Sequence, residues 1–132
     1  MPALGDLEVQ VMRRIWARRG PVTVRDVFGD LQPDRNIAYT TVMTVMGNLE
    51  KKGWLRRHAE GRAYHYEPLV SAEQYGAALM RQALEASTDQ PAVLMQFIEE
   101  LSADEARALE EAYRRLTGQR ESAARASRGS RR

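Results

Sequence analysis

The feature that most constrains this fold is a helical repeat of apolar residues that is followed at once by a glycine and a hairpin pattern. Four residues recur at i, i+3, i+4 and i+7, the spacing of one helix face: Val42, Val45, Met46 and Leu49. This spacing predicts a helix from about Ala38 to Lys52, with Gly53 as the residue that ends it. Alternating and aromatic residues then flank a Gly-containing turn, which predicts a β-hairpin of strands 54–58 and 63–67.

Two shorter helices are predicted ahead of that one. Apolar residues recur at helical spacing up to Gly20, namely Leu7, Val11, Met12, Ile15 and Trp16. Thr23 is a good N-cap for a second helix that ends near Leu31. Three helices followed by a two-stranded hairpin is the order of a winged helix-turn-helix, whose third helix enters the DNA major groove. We therefore predict a mainly α chain with a winged-helix DNA-binding domain over residues 1–70.

The second half of the chain carries helical patterns from residue 71 to residue 118. Two capping-box patterns open its first and last helices, Ser71 with Gln74 and Ser102 with Glu105. Its apolar residues are too many for so few helices to enclose: Leu79, Leu84, Leu94, Phe97, Ile98, Leu101, Leu109, Tyr113 and Leu116. Two copies could enclose them, so residues 71–118 are predicted to form a helical dimerisation domain. The alternative is a monomer in which these faces fold back on the winged helix.

The end of the chain, residues 119–132, has no apolar periodicity. We predict that the last helix ends near Gly118 and that a disordered basic tail follows. Five arginines lie in this tail: Arg120, Arg125, Arg128, Arg131 and Arg132. They either add contacts to DNA phosphates or only keep the end soluble.

Charge divides unevenly along the chain, although the net charge is only +2. Residues 1–70 carry 11 Lys and Arg against 8 Asp and Glu, residues 71–118 carry 4 against 9, and residues 119–132 carry 5 against 1. The net positive charge of the N-terminal and C-terminal segments favours a polyanionic partner. An overall pI near 9.2 is, however, also common in proteins that bind no nucleic acid.

Several classes of function are excluded or disfavoured by composition. The absence of cysteine excludes disulfides and thiolate metal sites. No long apolar run or signal-peptide pattern is present, so the protein is expected to be soluble and cytoplasmic, without membrane insertion. The two histidines, His58 and His65, have no neighbouring Ser and Asp set, and no glycine-rich phosphate loop follows a strand. We expect no enzyme activity, no metal and no cofactor.

The outward face of the third predicted helix carries slim, uncharged side chains where a surface helix usually carries Glu and Lys. These residues are Thr40, Thr41, Met43, Thr44, Gly47 and Asn48. A threonine methyl suits the thymine C5-methyl, an asparagine amide can bond adenine N6 and N7 together, and a glycine lets the backbone come close. The alternative is an ordinary helix with a Thr-rich face, in which the glycine admits a neighbouring helix.

Cations cluster at the end of this helix and along the hairpin. They are Lys51, Lys52, Arg56, Arg57 and Arg62, only partly offset by Glu50 and Glu60. Such groups supply non-specific affinity for DNA through phosphate contacts, unless they form an ordinary solvated face. The aromatic residues Trp54, Tyr64 and Tyr66 are expected to pack the small sheet against the helices.

Three segments resemble the BlaI/MecI family of bacterial transcriptional repressors, which includes the penicillinase repressors: "LGDLEVQVMRRIW", "AYTTVMTVMGNLEKKGWLRR" and "GRAYHYEPLV". The resemblance implies a homodimer, one operator half-site per winged helix, and a C-terminal helical domain that joins the subunits. It also implies dyad operators whose halves carry TACA and TGTA. The implied DNA-reading residues are the six on the outward face of the third helix, with Lys51, Lys52 and Arg62 toward the DNA backbone.

Departures from the family pattern bear on recognition and on release. Many members have Arg where this chain has Asn48, which implies a weaker or shifted base contact. In the antibiotic-responsive members a membrane sensor leads to cleavage of an Asn-Phe bond, and the corresponding pair here is Gln96 and Phe97. Proteolytic release therefore stays open. The copper-responsive relatives carry a cysteine cluster that this chain lacks. The rival function is a winged helix that contacts another protein instead of DNA.

Overall fold

A computed structural model describes residues 3–129, which form six helices and one antiparallel hairpin. The elements in chain order are α1 (Asp6–Ala17), α2 (Val24–Leu31), α3 (Tyr39–Lys51), β1 (Leu55–Glu60), β2 (Ala63–Pro68), α4 (Ala72–Glu85), α5 (Gln90–Glu99) and α6 (Ala103–Gly129). The predicted order of three helices, a hairpin and three further helices is confirmed.

The core of the first half is built from the apolar stripes of α1, α2 and α3. Its buried members are Val11, Met12, Ile15, Val22, Val24, Val27, Leu31, Val42, Val45, Met46, Leu49, Trp54, Leu55 and Tyr66. All four residues that defined the period of α3 are among them. The helix period in the sequence therefore marks the face that packs inward.

Side-chain caps begin several helices where the sequence places them. The Thr23 hydroxyl accepts from the Asp26 backbone N–H at 3.1 Å, and α2 begins at the next residue. Ser71 pairs in the same way with Gln74 ahead of α4. Ser102 and Glu105 form the equivalent box ahead of α6. These bonds satisfy backbone N–H groups that have no partner within the helix.

The hairpin pairs Leu55 with Pro68 at its base and Glu60 with Ala63 at its tip. Only Gly61 and Arg62 therefore form the turn, which is tighter than the predicted span of 59–62. Gly61 has a φ of 65°. Glycine at the first central position of a two-residue hairpin turn supplies this conformation at little steric cost.

The chain divides into two compact units, the first ending at Arg81 and the second beginning at Gln82. The first unit is thus longer than the predicted domain of residues 1–70. The physical reason is Tyr75 in α4, which packs against the core of the winged helix. The predicted boundary at residue 70 marks the end of the hairpin and not the end of the packed unit.

The last helix contradicts the prediction for the end of the chain. α6 continues through Gly118 to Gly129, so residues 119–129 are helical and not disordered. The segment beyond Gly118 contains Ala, Arg and Glu, which are good helix formers and extend an existing helix without a new nucleus. Arg131 and Arg132 lie outside the described residues. Within residues 3–129, no helix is both long and apolar enough to cross a membrane.

Candidate nucleic-acid interface

The two faces of α3 differ sharply in exposure. Val42, Val45, Met46 and Leu49 are buried, whereas the predicted reading residues lie together on the opposite face. Thr40, Thr41, Met43, Thr44 and Asn48 are exposed and Gly47 is half-buried. Met43 exposes 47% of its surface, which is unusual for a large apolar side chain on a folded helix. These six residues form the open face of α3, a continuous uncharged surface that the first unit presents to solvent.

Thr44 is held by a bond inside α3. Its hydroxyl donates to the backbone carbonyl oxygen of Thr40 at 2.9 Å. The hydroxyl proton is therefore used within the helix, and the oxygen lone pair and the γ-methyl remain for a partner. This arrangement suits contact with a thymine methyl or acceptance from a base amino group.

Gly47 has free space above it. An ideal Cβ built at this position meets no heavy atom within 4 Å outside its own helix backbone. Close packing of a neighbouring helix therefore does not explain the glycine, although that was one of the two explanations open from the sequence. Glycine lowers helix stability by roughly 1 kcal/mol relative to Ala in a helix interior, and no contact among the described residues offsets this loss.

The two lysines at the end of α3 differ in their contacts. Lys52 donates to Glu8 Oε1 at 2.7 Å, which ties the end of α3 to the start of α1 and occupies the ammonium with a partner inside the first unit. Burial raises the pKa of Glu8, but bonds from Lys52 and the Gly5 N–H outweigh it and lower that pKa overall. Lys51 is exposed and forms no ion pair with any residue from 3 to 129.

Two of the three hairpin cations form ion pairs, one across the sheet and one with α3. Arg56 donates to Glu67 Oε2 at 2.7 Å and lowers the pKa of that carboxyl, yet 66% of its side chain is exposed. Arg57 pairs with Glu50 at 3.1 Å. Arg62 stands in the turn, without an ion pair in the described part of the chain. Exposed pairs of this kind contribute little stability and can exchange partners, so Arg56 remains available to phosphate.

The hairpin aromatic residues divide between core and surface. Trp54 and Tyr66 are buried, as predicted, but Tyr64 is 51% exposed, so its assignment to the core is wrong. Tyr64 and Tyr66 share one face of β2, but Tyr64 lies nearer the turn and opposite Ala59, whereas the buried residues of the hairpin, Leu55 and Tyr66, lie nearer its base. Its ring instead lies 4.3 Å from the Arg57 guanidinium, a cation–π contact.

Tyr39, the first residue of α3, was not among the functional residues predicted from the sequence. Tyr39 directly precedes the threonines of the open face and is 38% exposed. Its ring lies edge-on to Phe28 at 5.6 Å, and the Arg25 guanidinium is 5.8 Å from the ring centroid. The only signal in the sequence was its position beside Thr40. Arg25 and Tyr39 thus border the open face of α3.

The two histidines sit opposite each other in the hairpin. The rings of His58 and His65 stack with centroids 5.9 Å apart, and both face Glu60. Among residues 3–129, no group of three or more His, Cys, Asp or Glu side chains could hold a metal ion. The two rings stack across the paired strands β1 and β2.

The predicted dimerisation residues are largely uncovered in a single chain. The helices α4, α5 and α6 contain no buried residue. Seven of the nine are exposed, namely Leu79, Leu94, Phe97, Ile98, Leu109, Tyr113 and Leu116, whereas Leu84 and Leu101 are half-buried. The pair Gln96 and Phe97 lies within α5, and the Gln96 amide donates to Glu100 Oε1 at 3.2 Å.

Comparison with known proteins identifies the family. The sequence model described as penicillinase repressor matches residues 4–115. The chain belongs to the penicillinase repressor family. The resemblance found from the sequence motifs is thereby confirmed. Members of this family are transcriptional repressors and not enzymes, in agreement with the expectation of a DNA-binding repressor without catalytic activity.

Individual members of the penicillinase repressor family support the same assignment. The chain is 43% identical over 116 residues to the transcriptional regulator BlaI of Mycobacterium tuberculosis, covering 86% of this chain and 84% of that protein. It is 31% identical over 75 residues to the penicillinase repressor of Bacillus licheniformis, covering 57% of this chain and 58% of that protein.

A solved structure supports the fold class. The solution structure of the DNA-binding domain of the repressor BlaI matches with a TM-score of 0.50 and 31% identity, covering 56% of this chain and 89% of that domain. The predicted winged helix-turn-helix fold is therefore confirmed for the first part of the chain.

Proposed function

We propose that this chain represses transcription as a homodimer that binds a dyad operator in the cytoplasm. The observation that carries the proposal is the open face of α3, which combines exposed hydroxyl, methyl and amide groups with free space above Gly47. None of the six residues of this face is acidic, so none would repel phosphate, and Met43 is the one long side chain among them. A helix used only for structure has no need of such a face.

Base reading would rest on Thr44 and Asn48. Thr44 would meet a thymine methyl, because its hydroxyl proton is already bonded within the helix. The Asn48 side chain is exposed and would bond adenine through its amide. Thr40, Thr41 and Met43 would fill the groove around these two contacts.

Phosphate contacts would come from the cations at the edges of that face. Lys51 and Arg62 form no ion pair within residues 3–129, so they would bind phosphate without losing an internal partner. Arg56 would exchange Glu67 for phosphate. Lys52 would stabilise the fold instead, since it is bound to Glu8. This division predicts fewer phosphate contacts than the number of basic residues suggests.

A second copy of the chain would cover the apolar faces of α4, α5 and α6. α5 is apolar around most of its circumference, and Leu94, Met95, Phe97 and Ile98 expose 41 to 62% of their surfaces. A helix that is apolar on all sides is normally buried. Two copies that enclose α5 would hold two reading faces at a fixed separation, which multiplies the affinity of each half-site contact.

Release of the repressor by proteolysis fits the position of Gln96 and Phe97. A cut between them would divide α5 and remove α6, and with them most of the surface that joins the two copies. Because the bond lies inside a helix, a protease would need α5 to open locally. A pathway that begins at a membrane sensor would supply the signal.

The test is DNase footprinting of the promoter upstream of this protein's own coding region, followed by fluorescence anisotropy. The expected result is a protected dyad with two TACA-like halves, tight and salt-dependent binding to that dyad, and weaker binding to one half or to random DNA. Analytical ultracentrifugation should show a dimer at micromolar concentration. A monomer that binds dyad and random DNA equally would overturn the proposal and would favour a protein-binding winged helix.

A further inference from the structure

One aromatic side chain of α4 touches two elements of the DNA-binding unit at once. The Tyr75 ring lies 5.6 Å from the Trp16 ring in α1, tilted by 33°. It also lies 5.7 Å from the Trp54 ring, edge-on at 73°. Trp54 lies three residues beyond the end of α3, and its backbone N–H donates to the Leu49 carbonyl oxygen at 2.9 Å. Tyr75 is therefore connected to the end of α3 through a single residue, Trp54.

The segment that leads into Tyr75 is fixed to the same unit by hydrogen bonds. The Leu69 N–H donates to the Trp54 carbonyl oxygen, and the Trp16 indole N–H donates to the Val70 carbonyl oxygen, both at 2.8 Å. The capping box of Ser71 then sets the first turn of α4. Tyr75 is the last of these anchors, because Leu79 and Met80 further along α4 are 48% and 59% exposed.

The direction of α4 at Tyr75 has large effects further along the helix. About ten residues separate Tyr75 from the end of α4 at Glu85, a length of about 15 Å. A tilt of about 20° at Tyr75 would move that end by about 5 Å, which exceeds the rise of about 3.4 Å per base pair in DNA. A change of this size would place a reading face out of step with its half-site.

We propose that Tyr75 is a positioning residue for operator recognition. Its contacts with Trp16 and Trp54 fix the direction in which α4 leaves the DNA-binding unit, and so fix which spacing of half-sites the dimer accepts. This inference rests on the dimeric repressor proposed above. Tyr75 need not touch DNA, so its removal changes the reading of the whole dyad and leaves the reading of one half-site intact.

The test compares Tyr75→Ala and Tyr75→Leu with Tyr75→Phe, which keeps the ring. Tyr75→Leu keeps apolar volume, so the test stands even where Tyr75→Ala fails to fold. Arg81→Ala is the matched control at an exposed position of the same helix. Each full-length protein is titrated by anisotropy against one half-site, the footprinted dyad, and dyads with one base pair added or removed at the centre. The chain has two tryptophans, and both contact Tyr75, so their emission reports on the loosened contact.

We expect the Ala and Leu variants to remain dimers and to bind one half-site within about twofold of the wild type. They should lose about tenfold on the footprinted dyad and should no longer distinguish the three spacings. Tyr75→Phe and Arg81→Ala should keep the wild-type affinities and the wild-type spacing preference.

Two results would overturn the positioning role. One is a wild-type spacing profile in the Ala and Leu variants. The other is an equal loss on the half-site and the dyad, which would mean that Tyr75 only supports folding of the DNA-binding unit. A wild-type protein that is monomeric, or that binds one half-site as tightly as the dyad, would instead overturn the dimeric repressor and this inference with it.

Discussion

At the scale of a single residue, Gly47 is expected to affect fold stability and DNA binding in opposite directions. Because a Cβ there meets no heavy atom of residues 3–129 within 4 Å outside its own stretch of helix, Gly47→Ala should raise the free energy of unfolding by about 0.5–1 kcal/mol. The added methyl should lower operator affinity by about 1–3 kcal/mol, as an extra group forced into a close contact does. Urea unfolding and anisotropy on the same variant measure the two effects.

The control for this change is Gly29→Ala in α2, where a Cβ also has free space. It should stabilise the fold to a similar degree and leave operator affinity unchanged. If Gly47→Ala bound the operator as tightly as the wild type, the backbone of α3 would not approach the bases, and the reason for the glycine would have to be sought elsewhere.

Asn48 tests base reading. Asn48→Ala should lower affinity for the footprinted operator by roughly 1 to 3 kcal/mol, if its amide bonds an adenine edge through two atoms. The loss on random DNA should be much smaller, because random DNA offers no matched base. Anisotropy on both duplexes at one salt concentration gives the comparison. Equal losses on the two DNAs would make Asn48 a backbone contact.

Lys51 and Lys52 are adjacent in the sequence, yet their contacts predict opposite effects. Lys51→Ala should weaken binding to operator and random DNA alike and should reduce the slope of log affinity against log salt by about one. Lys52→Ala should leave that slope unchanged and lower the free energy of unfolding by about 1 kcal/mol, because Glu8 loses the donor that its half-buried carboxylate uses.

The pH dependence of the Lys52 variant follows from the lowered pKa of Glu8. A carboxyl whose pKa is lowered on folding stabilises the fold above its ordinary value of 4.5, and this stabilisation is lost as the pH falls through the folded pKa. The stability difference between wild type and Lys52→Ala should therefore be present at pH 7 and shrink below pH 4.5. If the stability difference between the two proteins did not change with pH, the ion pair of Lys52 with Glu8 would not be its cause.

At the scale of elements, helix starts were more predictable than helix ends. Thr23, Ser71 and Ser102 each begin a helix through a bond to a residue three positions on, which can be seen in the sequence. The end predicted at Gly118 was wrong, because glycine inside a helix lowers stability without forbidding the helical conformation. The helix continues through Gly118 because the residues on both sides of it are good helix formers.

The extended α6 makes its own prediction. Replacing Arg120, Arg125 and Arg128 with Gln should keep the helical far-UV signal, whereas deleting residues 119–132 should reduce it, since residues 119–129 are helical. We expect both variants to keep the salt dependence of operator binding, as for arginines that serve only as an exposed helix surface. A shallower salt slope in the Gln variant would instead assign these arginines to DNA phosphates.

At the scale of the whole molecule, dimerisation decides affinity. A chain cut after Gln96 loses α6 and part of α5, so it should sediment as a monomer and bind the dyad about ten to a hundred times more weakly than the full chain. Its affinity for one half-site should be retained, because the unit that ends at Arg81 is intact. Unchanged affinity for the dyad would end this account of release.

The fold class, the helix starts and the exposure of one side of α3 were open to prediction because each depends on residues close together in the chain. Helical period and capping act over three or four positions, and the open face of α3 is simply the side opposite its apolar stripe. Family membership also follows from contiguous motifs. A sequence by itself determines what neighbouring residues impose on one another.

Tertiary structure alone decided which of these groups are free to act. Lys52 contacts Glu8, 44 positions away in the sequence, and Trp16 contacts Val70, 54 positions away. No local sequence pattern predicts either contact. The same holds for the exposure of Tyr64, the space above Gly47 and the place of Tyr75 between two tryptophans. Burial and ion pairing depend on which distant segments pack together, and only the folded chain specifies that.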